Sequence, residues 1–258
     1  MDLELTGQVV LITGGTDGLG LALAQKLARE GAAVAVCGRD EQRLATAVAS
    51  LEADGGDVLG CRADMARAGD IKAFVEGAVD RWGRIDGIVH NAGRSAAGPL
   101  ESTDDATWEA DLELKLMGAV RLTRMALPEL RRSQGSALFT LAMAAKAPGA
   151  GSAPSSVSRA AGMALTKALS KELAPEGIRV NAILIGLIES GQWVRAAAAS
   201  GTPLPEFYDR LVTGSGIPLG RVGRSEEFAD LAAFLLSARA SYLTGTAINL
   251  DGGLSPVV

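Results

Sequence analysis

Ser155 and Arg159 lie one helical turn apart, and their hydroxyl and guanidinium could act together at a binding or catalytic site. They lie in a segment from Ser152 to Leu173 that we predict to be one long helix. Ser152, Pro154 and Ser155 are typical of a helix start, and apolar residues then recur on one face. Because residues four apart share a face, this hydroxyl and this guanidinium are expected to point to the same place.

Short apolar segments alternate with amphipathic ones along the rest of the chain. We predict strands near residues 8 to 13, 33 to 37, 57 to 61, 85 to 89, 136 to 141, 178 to 184 and 246 to 250. Strands that are apolar on both faces and separated by helices are typical of a parallel sheet covered on both sides, the doubly wound α/β architecture. No linker, repeat or low-complexity stretch interrupts the 258 residues, so we predict a single domain, residues 1–258.

A glycine-rich turn, residues 13–20, directly follows the first predicted strand and opens a helix. Glycine permits a tight turn and a close approach of the backbone to a pyrophosphate. The free N–H groups and the dipole of the helix N-terminus favour the negative charge of that pyrophosphate. The turn therefore predicts a dinucleotide site, although an empty strand-to-helix turn has the same local pattern.

The end of the second strand distinguishes NADP from NAD. An acidic residue here would hold a ribose 2′-hydroxyl, but the chain has Gly38 followed by Arg39. A guanidinium suits a 2′-phosphate, so we predict NADP rather than NAD; the alternative is a solvated loop charge. Asp40 is predicted to cap the next helix, which runs to about Ala53. Asp64, after the third strand, is either an acceptor for the adenine amino group or a loop carboxylate.

Composition excludes several classes of protein. The net charge of −5 argues against nucleic acid and anionic membranes as partners. No basic-then-apolar leader and no membrane-length apolar run is found, so we expect a cytoplasmic protein. Cys37 and Cys61 are predicted to be free thiols, and no metal-ligand spacing occurs. His90, the only histidine, is interpreted as a packed structural residue rather than a general base.

Together these motifs resemble the short-chain dehydrogenase/reductase family over almost the whole chain. The resemblance rests on Thr13-Gly14-x-x-x-Gly18-x-Gly20, Asp64, Trp82-Gly-Arg-Ile-Asp86 before Asn91-Ala-Gly93, Ile178-Arg-Val-Asn181, and Leu243-Thr-Gly245 through Asp251-Gly252-Gly253. It implies a Rossmann-type seven-stranded sheet, a nicotinamide cofactor, a small-molecule substrate and a homotetramer or homodimer. The cofactor-binding residues that it implies are Gly14, Thr16, Asp17, Gly18, Leu19, Gly20, Arg39, Asp64, Met65, Asn91, Ala92, Gly93, Arg159, Gly186, Ile188 and Ser190.

The same resemblance places the family's catalytic tetrad on four substituted positions. Its asparagine falls on Lys115, its serine on Ala142, and its tyrosine and lysine on Ser155 and Arg159. The family's tyrosine exchanges a proton with the reacting oxygen, and a phenol of pKa ~10 can be tuned for this by a neighbouring cation. A serine hydroxyl is far less acidic, and arginine, with a pKa above about 12, cannot relay a proton.

Two lysines are candidates for the missing acid. Lys146 lies four residues past Ala142 on a loop expected to face the pocket, and Lys115 is expected to reach inwards; solvated surface lysines are the alternative. Tyr208 is a weaker candidate. It lies in a loop, residues 191–216, that is expected to cover the substrate, and the aromatic residues of that loop either line a pocket or pack on their own segment.

The sequence by itself is compatible with three functions. The first, which we favour slightly, is an atypical NADP(H)-dependent oxidoreductase acting on a carbonyl or alcohol. Lys115, Lys146 and Arg159 around one cleft would favour an anionic substrate. The second is an NADP-binding pseudo-enzyme that serves as a sensor or structural subunit. The third is non-redox chemistry that uses a lysine.

Overall fold

One sheet of seven parallel strands forms the centre of the computed structural model, which describes residues 2–258. The strands are β1 (Val9–Thr13), β2 (Ala33–Gly38), β3 (Val58–Arg62), β4 (Gly87–His90), β5 (Ser136–Ala142), β6 (Arg179–Ile185) and β7 (Ala247–Leu250). Their order across the sheet is β3-β2-β1-β4-β5-β6-β7. The predicted doubly wound sheet is therefore confirmed, and the predicted strands agree with the observed ones to within about two residues.

Nine α-helices in the described residues connect and cover these strands. They are α1 (Gly18–Arg29), α2 (Glu41–Ala53), α3 (Ala68–Trp82), α4 (Asp105–Leu112), α5 (Gly118–Ser133), α6 (Ser155–Leu173), α7 (Gly191–Ala199), α8 (Leu204–Ser215) and α9 (Ser225–Leu236). A π-helical turn, Glu113–Met117, joins α4 to α5 without a break.

Two apolar layers hold the helices against the sheet. On one face, α1, α2 and α9 pack through residues such as Leu23, Leu44 and Phe228. On the other face, α3, α5 and α6 pack through residues such as Phe74 and Leu122. Strands buried on both faces are largely apolar because neither face meets water, and β1 is buried at every position and apolar from Val9 to Ile12.

The order of the strands creates the position for a ligand. The chain moves outwards from β1 through β2 to β3 and then returns to place β4 on the other side of β1. The loops after β1 and β4 therefore diverge at the carboxyl ends of adjacent strands, and they leave a crevice between them.

Two expectations about helices need adjustment. The helix predicted from Ser152 begins at Ser155, so Ser152 lies in the turn that precedes it. The segment 191–216, predicted as a covering loop, is mostly helical and forms α7 and α8. Its alanine-rich stretch, residues 196–199, has a strong intrinsic helix propensity.

Candidate active site

The turn after β1 is held in shape by glycines and by one side chain. Gly14 and Gly18 have φ values of +66° and +51°, which favour glycine. A Cβ on Gly20 would lie 2.3 Å from the carbonyl oxygen of Gly14, so α1 approaches the turn as closely as it does only because this side chain is absent. Asn91, at the end of β4, donates from Nδ2 to the carbonyl oxygens of Thr13 and Gly14, at 3.0 and 3.1 Å.

The N-terminus of α1 opens towards the crevice. Asp17 is its N-cap residue, but its side chain makes no capping hydrogen bond. The Asp17 carboxylate instead accepts from Arg195 Nη1 of α7 at 2.8 Å. The first N–H groups of α1 and its dipole are therefore available to an anion such as a pyrophosphate.

The far end of the crevice is basic. Gly38 ends β2 and passes close to Thr16, since a Cβ on Gly38 would lie 2.7 Å from Thr16 Cγ2. Arg39 follows with an exposed guanidinium, and its Nη1 lies 3.9 Å from Asp64 Oδ2. Arg43, in the first turn of α2, also lines this end. The site has the arginine expected for a 2′-phosphate, and no carboxylate stands at position 38 or 39 for a ribose 2′-hydroxyl.

Asp40 and Asp64 have local structural roles. Asp40 caps α2, as predicted, by accepting from the N–H of Arg43 at 2.9 Å. Asp64 Oδ1 accepts from the N–H of Ala66 at 3.0 Å, which is the loop-carboxylate alternative, although Asp64 also lines the crevice.

These features border one cleft of about 620 Å³ along the carboxyl ends of the strands. All the predicted cofactor residues except Gly20 line it: Gly14, Thr16, Asp17, Gly18, Leu19, Arg39, Asp64, Met65, Asn91, Ala92, Gly93, Arg159, Gly186, Ile188 and Ser190. Gly20 lies beneath the turn and shapes it. At the opposite end from Arg39, Gly186 passes Asp251 so closely that a Cβ would lie 2.7 Å from Asp251 Cβ.

The floor of the cleft contains an unsatisfied hydroxyl. Thr140 on β5 lines the cleft, and its Oγ1 is buried without a hydrogen-bond partner in the described part of the chain. Buried hydroxyls are normally paired, so this one is an unused hydrogen-bonding group beside the cleft. An anion-binding turn, a basic ribose end and a polar floor together fit a nicotinamide dinucleotide phosphate.

Lys115 enters the cleft from the π-helical turn between α4 and α5. Such turns add one residue to a helix and occur frequently at functional sites. Gly118, just after the turn, allows the helix to pass the backbone of Met65, because a Cβ there would lie 2.6 Å from the Met65 carbonyl oxygen. The Lys115 side chain is 2% exposed, so the solvated alternative does not describe it.

Lys115 and Ser155 meet in the cleft. Lys115 Nζ donates to Ser155 Oγ at 3.0 Å, and the same Oγ accepts from the N–H of Ala96 at 2.8 Å. Lys115 also forms a buried ion pair with Asp111, one turn earlier. Burial lowers the pKa of Lys115, the hydrogen bond that its ammonium donates to Asp111 opposes that shift, and the positive charge of the nearby Arg159 adds to it.

Arg159 lies beside this pair, as the one-turn spacing from Ser155 predicts. Its Nη1 donates to the carbonyl oxygen of Thr140 at 2.5 Å. A Cβ on Gly93 would lie 2.8 Å from Arg159 Nη2, so the glycine leaves room for the guanidinium. Burial lowers the pKa of Arg159, but an arginine stays protonated in proteins and can only donate hydrogen bonds.

The placement of Lys146 corrects the expectation that it faces the pocket. A short 3₁₀ turn, Met143–Ala145, follows β5 and directs Lys146 towards β7. Its Nζ donates to the carbonyl oxygen of Ala247 at 2.9 Å and to Asn249 Oδ1 at 3.1 Å. Lys146 therefore joins the loop to the neighbouring strand, and its ammonium is held outside the cleft.

Residues of α7, but not Tyr208 of α8, line the cleft. Trp193 lines the cleft and also packs on Phe207, with ring centroids 6.3 Å apart. It therefore both lines a pocket and packs within its own segment, the two alternatives that the sequence left open. Burial and the charge of Glu189 raise the pKa of Tyr208, which makes it a poorer acid.

His90 is a packed residue, as the sequence suggested. Its Nε2 is 2.9 Å from Thr123 Oγ1, and its ring lies on Phe139 with centroids 4.3 Å apart. Burial lowers its pKa to about 3, so the imidazole is neutral at ordinary pH.

Several residues at the site escaped sequence reasoning. Asp111 is the most important, and its spacing of four residues from Lys115 was a usable signal for an ion pair. Arg43, Arg94, Thr140, Gln192 and Arg195 also line the cleft. Arg195 reaches it through tertiary contact with Asp17, 178 residues away, for which no local pattern exists.

Residues 2–258 contain no group of three or more His, Cys, Asp or Glu residues that is placed to hold a metal ion. Cys37 and Cys61 are free thiols, as predicted. In the same part of the chain, no helix has the length and apolar character needed to cross a bilayer.

A parallel doubly wound sheet with a glycine-rich anion site at its switch point defines a dinucleotide-binding protein of the Rossmann type. The chain belongs to the short-chain dehydrogenase/reductase family of oxidoreductases. The family model described as enoyl-(acyl carrier protein) reductase matches residues 14–255.

Individual relatives cover nearly the whole chain. The monensin polyketide synthase putative ketoacyl reductase of Streptomyces virginiae is 37% identical over 256 residues, which are 97% of this chain and 98% of that protein. The L-sorbose reductase of Gluconobacter frateurii, solved with NADPH and L-sorbose, is 32% identical, with a TM-score of 0.95 and full coverage of both chains. An NADPH-bound short-chain oxidoreductase of Pseudomonas aeruginosa, described as containing an atypical catalytic center, is 34% identical, with a TM-score of 0.92 over 97% of this chain and 98% of that one.

Proposed function

We propose that this protein is an NADP(H)-dependent oxidoreductase that interconverts a carbonyl and an alcohol, with Lys115 as the proton donor. One observation carries the proposal. The Lys115 ammonium is buried in the cleft and lies 3.0 Å from Ser155 Oγ, the hydroxyl that stands at the family's tyrosine position. An ammonium is a competent general acid, whereas a serine hydroxyl alone is not.

NADPH, when bound, supplies the hydride for reduction. Lys115 then protonates the developing alkoxide, either directly or with Ser155 Oγ passing the proton on. Arg159 keeps its charge throughout and holds a ribose hydroxyl or the substrate by donating hydrogen bonds. The N–H of Ala96 orients Ser155 Oγ by a hydrogen bond of 2.8 Å.

NADP rather than NAD is the proposed cofactor because Arg39 and Arg43 stand at the ribose end of the cleft. The NADPH-bound structures of similar oxidoreductases agree with the prediction. The Pseudomonas aeruginosa protein supports the further idea that this fold binds NADPH beside an atypical catalytic center.

An anionic substrate fits the charges at the reactive end. Arg94, Lys115 and Arg159 line that end of the cleft. Lys146 adds no positive charge there, because its ammonium is bonded to β7 outside the cleft. Asp111 neutralises one of these three cations through its ion pair with Lys115. The surplus positive charge favours a carbonyl compound that also carries a carboxylate or phosphate.

A binding protein without catalysis is the competing function. It is favoured by the same Asp111–Lys115 ion pair, since an ammonium held by a carboxylate can be a purely structural element. In that case, NADPH would bind but would never be oxidised.

The deciding experiment measures NADPH oxidation with a panel of carbonyl compounds that includes carboxylates and their neutral esters. We expect turnover with the wild type, higher kcat/KM for the anionic member of each matched pair, and at least a 100-fold loss of kcat in Lys115→Met, corresponding to about 2.7 kcal/mol. The matched control is Lys146→Met, whose lysine lies outside the cleft, and it should keep the wild-type kcat.

Binding of NADPH, followed by its fluorescence, should be little changed in both variants. Unchanged kcat in Lys115→Met would refute the role of Lys115. NADPH binding without oxidation over the whole panel would support the binding protein instead.

A further inference from the structure

Asp111 is a buried carboxylate whose two oxygens are both occupied. Oδ1 forms the ion pair with Lys115, and both side chains are 2% exposed. Oδ2 accepts from Ser158 Oγ at 2.6 Å. Asp111 therefore connects α4 to α6, because Ser158 lies on the same helix as Ser155, three residues further on.

We propose that Asp111, held by Ser158, is a positioning residue that keeps Lys115 protonated and aimed at Ser155 Oγ. The inference rests on the proposed function, in which Lys115 is the acid. It goes further by naming the group that controls the acid, which lies outside the family's tetrad.

The direction in which the Lys115 ammonium points depends on Asp111. A lysine ammonium has three donors on a flexible stem, so its direction is set by its partners. Asp111 binds Nζ from one turn earlier on the same helical segment, and Ser155 Oγ binds it from α6. The hydrogen bond from Ser158 fixes the carboxylate, and with it the side of Nζ that faces the cleft.

The charges around Lys115 explain why its protonation depends on Asp111. Arg159 of α6 and Arg94 of the loop after β4 both disfavour a second cation nearby. His90 of β4 lines, together with Lys115, a small pocket of about 20 Å³, and its imidazole is neutral because burial lowers its pKa to about 3. Glu113, in the same π-helical turn, pairs instead with Arg121. Among residues 2–258, Asp111 is thus the carboxylate paired with Lys115.

The competing view is that the ion pair is merely structural. Removing one partner of any buried pair destabilises a protein, so loss of stability does not distinguish the two views. Titration of Lys115 shows whether Asp111 controls its protonation. The pH dependence of kcat then distinguishes the two views, because a merely structural pair would leave the alkaline limb of that profile unchanged when Asp111 is replaced.

The test is a pH titration of Lys115 in the full-length protein, with lysine labelled with 13C at Cε and observed by NMR. The Lys115 signal is identified by its disappearance in Lys115→Met. In the wild type, we expect it to report an ammonium at pH 7. In Asp111→Asn, we expect proton affinity to fall at least about tenfold, since the uncharged amide leaves burial and two arginines unopposed.

The alkaline limb of the kcat–pH profile for carbonyl reduction should move to lower pH by the same amount. The sign follows from the role, because an acid that loses its proton more easily stops working at a lower pH. Asp111→Glu, which keeps the charge, should restore most of the proton affinity but not the full kcat, because the longer stem moves Nζ. Glu113→Gln, which removes a neighbouring carboxylate paired with Arg121, is the control and should leave the Lys115 titration unchanged.

A neutral Lys115 at pH 7 in the wild type would overturn the inference, even where Asp111→Asn fails to fold. So would an unchanged titration in Asp111→Asn. The NMR measurement does not need turnover, and it therefore separates this inference from the proposed function. If Asp111 controls the protonation of Lys115 but NADPH is never oxidised, the positioning role of Asp111 is supported and the proposed oxidoreductase function is refuted.

Discussion

The buried ammonium of Lys115 is the group that we propose as the acid of the cleft, because Ala142, Ser155 and Arg159 offer none. An ammonium differs from a phenol in carrying its charge before it gives up the proton, so burial weakens its hold on that proton rather than strengthening it. Lys115 is buried beside Arg159, and both features lower its pKa. The same surroundings that would penalise a structural lysine thus favour a lysine that donates a proton.

Arg39 is the residue that we expect to bind the 2′-phosphate of NADPH. In Arg39→Gln, we expect NADPH to bind about 10- to 100-fold more weakly, because a charge-assisted hydrogen bond contributes about 1.5–3 kcal/mol. NADH, which has no 2′-phosphate, should bind as before. Fluorescence titration with each cofactor measures both affinities.

Arg29→Gln is the matched control for this substitution. Arg29 is an exposed arginine of α1 that faces Asp54, away from the ribose end. An equal loss of NADPH and NADH affinity in Arg39→Gln would contradict the assignment of the 2′-phosphate to Arg39.

Among the elements, α7 connects the covering segment to the cofactor turn. Gly191, its first residue, has no side chain, and a Cβ there would lie 2.0 Å from Asp17 Oδ2. One turn later, Arg195 Nη1 pairs with the same carboxylate at 2.8 Å. Two residues of α7, Gly191 and Arg195, therefore contact Asp17, and α7 lies over the turn where a pyrophosphate fits.

Loss of the ion pair between Arg195 and Asp17 should increase the dissociation rate of NADPH. In Arg195→Gln, Asp17 keeps an unpaired negative charge near the pyrophosphate, and α7 is held less firmly. An exposed ion pair contributes about 0.2–1 kcal/mol, so we expect the dissociation rate to rise by no more than about fivefold. Stopped-flow displacement of NADPH measures this rate.

Arg210→Gln provides the comparison for Arg195→Gln. It removes an ion pair with Glu206 of similar exposure on α8, which is remote from Asp17. An NADPH dissociation rate that rises equally in both variants would show that the effect is general loosening of the covering helices.

For the whole molecule, His90 makes stability depend on pH. The native imidazole is neutral down to about pH 3, whereas in the unfolded chain it takes up a proton below about pH 6.5. Its contribution to the free energy of unfolding is therefore fully present above about pH 6.5 and is lost as pH falls towards 3, at up to about 1.4 kcal/mol per pH unit.

Urea unfolding at pH 7, 6 and 5 tests this dependence. The control is His90→Gln, which cannot titrate in this range. The wild-type free energy of unfolding should fall relative to that of the variant as the pH is lowered. A constant difference between the two proteins would contradict the neutral, buried imidazole.

The family resemblance predicts a homo-oligomer, a tetramer or a dimer. It stays a prediction from the family resemblance, and sedimentation at several protein concentrations would measure it.

The sequence by itself determined the sheet, the glycine-rich turn, the capping role of Asp40 and the shared face of Ser155 and Arg159. Each of these follows from short-range periodicity or from the backbone freedom of particular residues, which neighbouring positions in the chain encode. The tertiary structure alone decided which lysine enters the cleft. Lys115 approaches Ser155 across 40 residues because a π-helical turn rotates it inwards. Lys146, which looked equally suitable, is turned towards β7 by a 3₁₀ turn and by two acceptors on that strand, Ala247 and Asn249. The direction of a long side chain depends on partners that folding brings together, and for that reason the sequence named the candidates while the packing of α4, α6 and β7 distinguished between them.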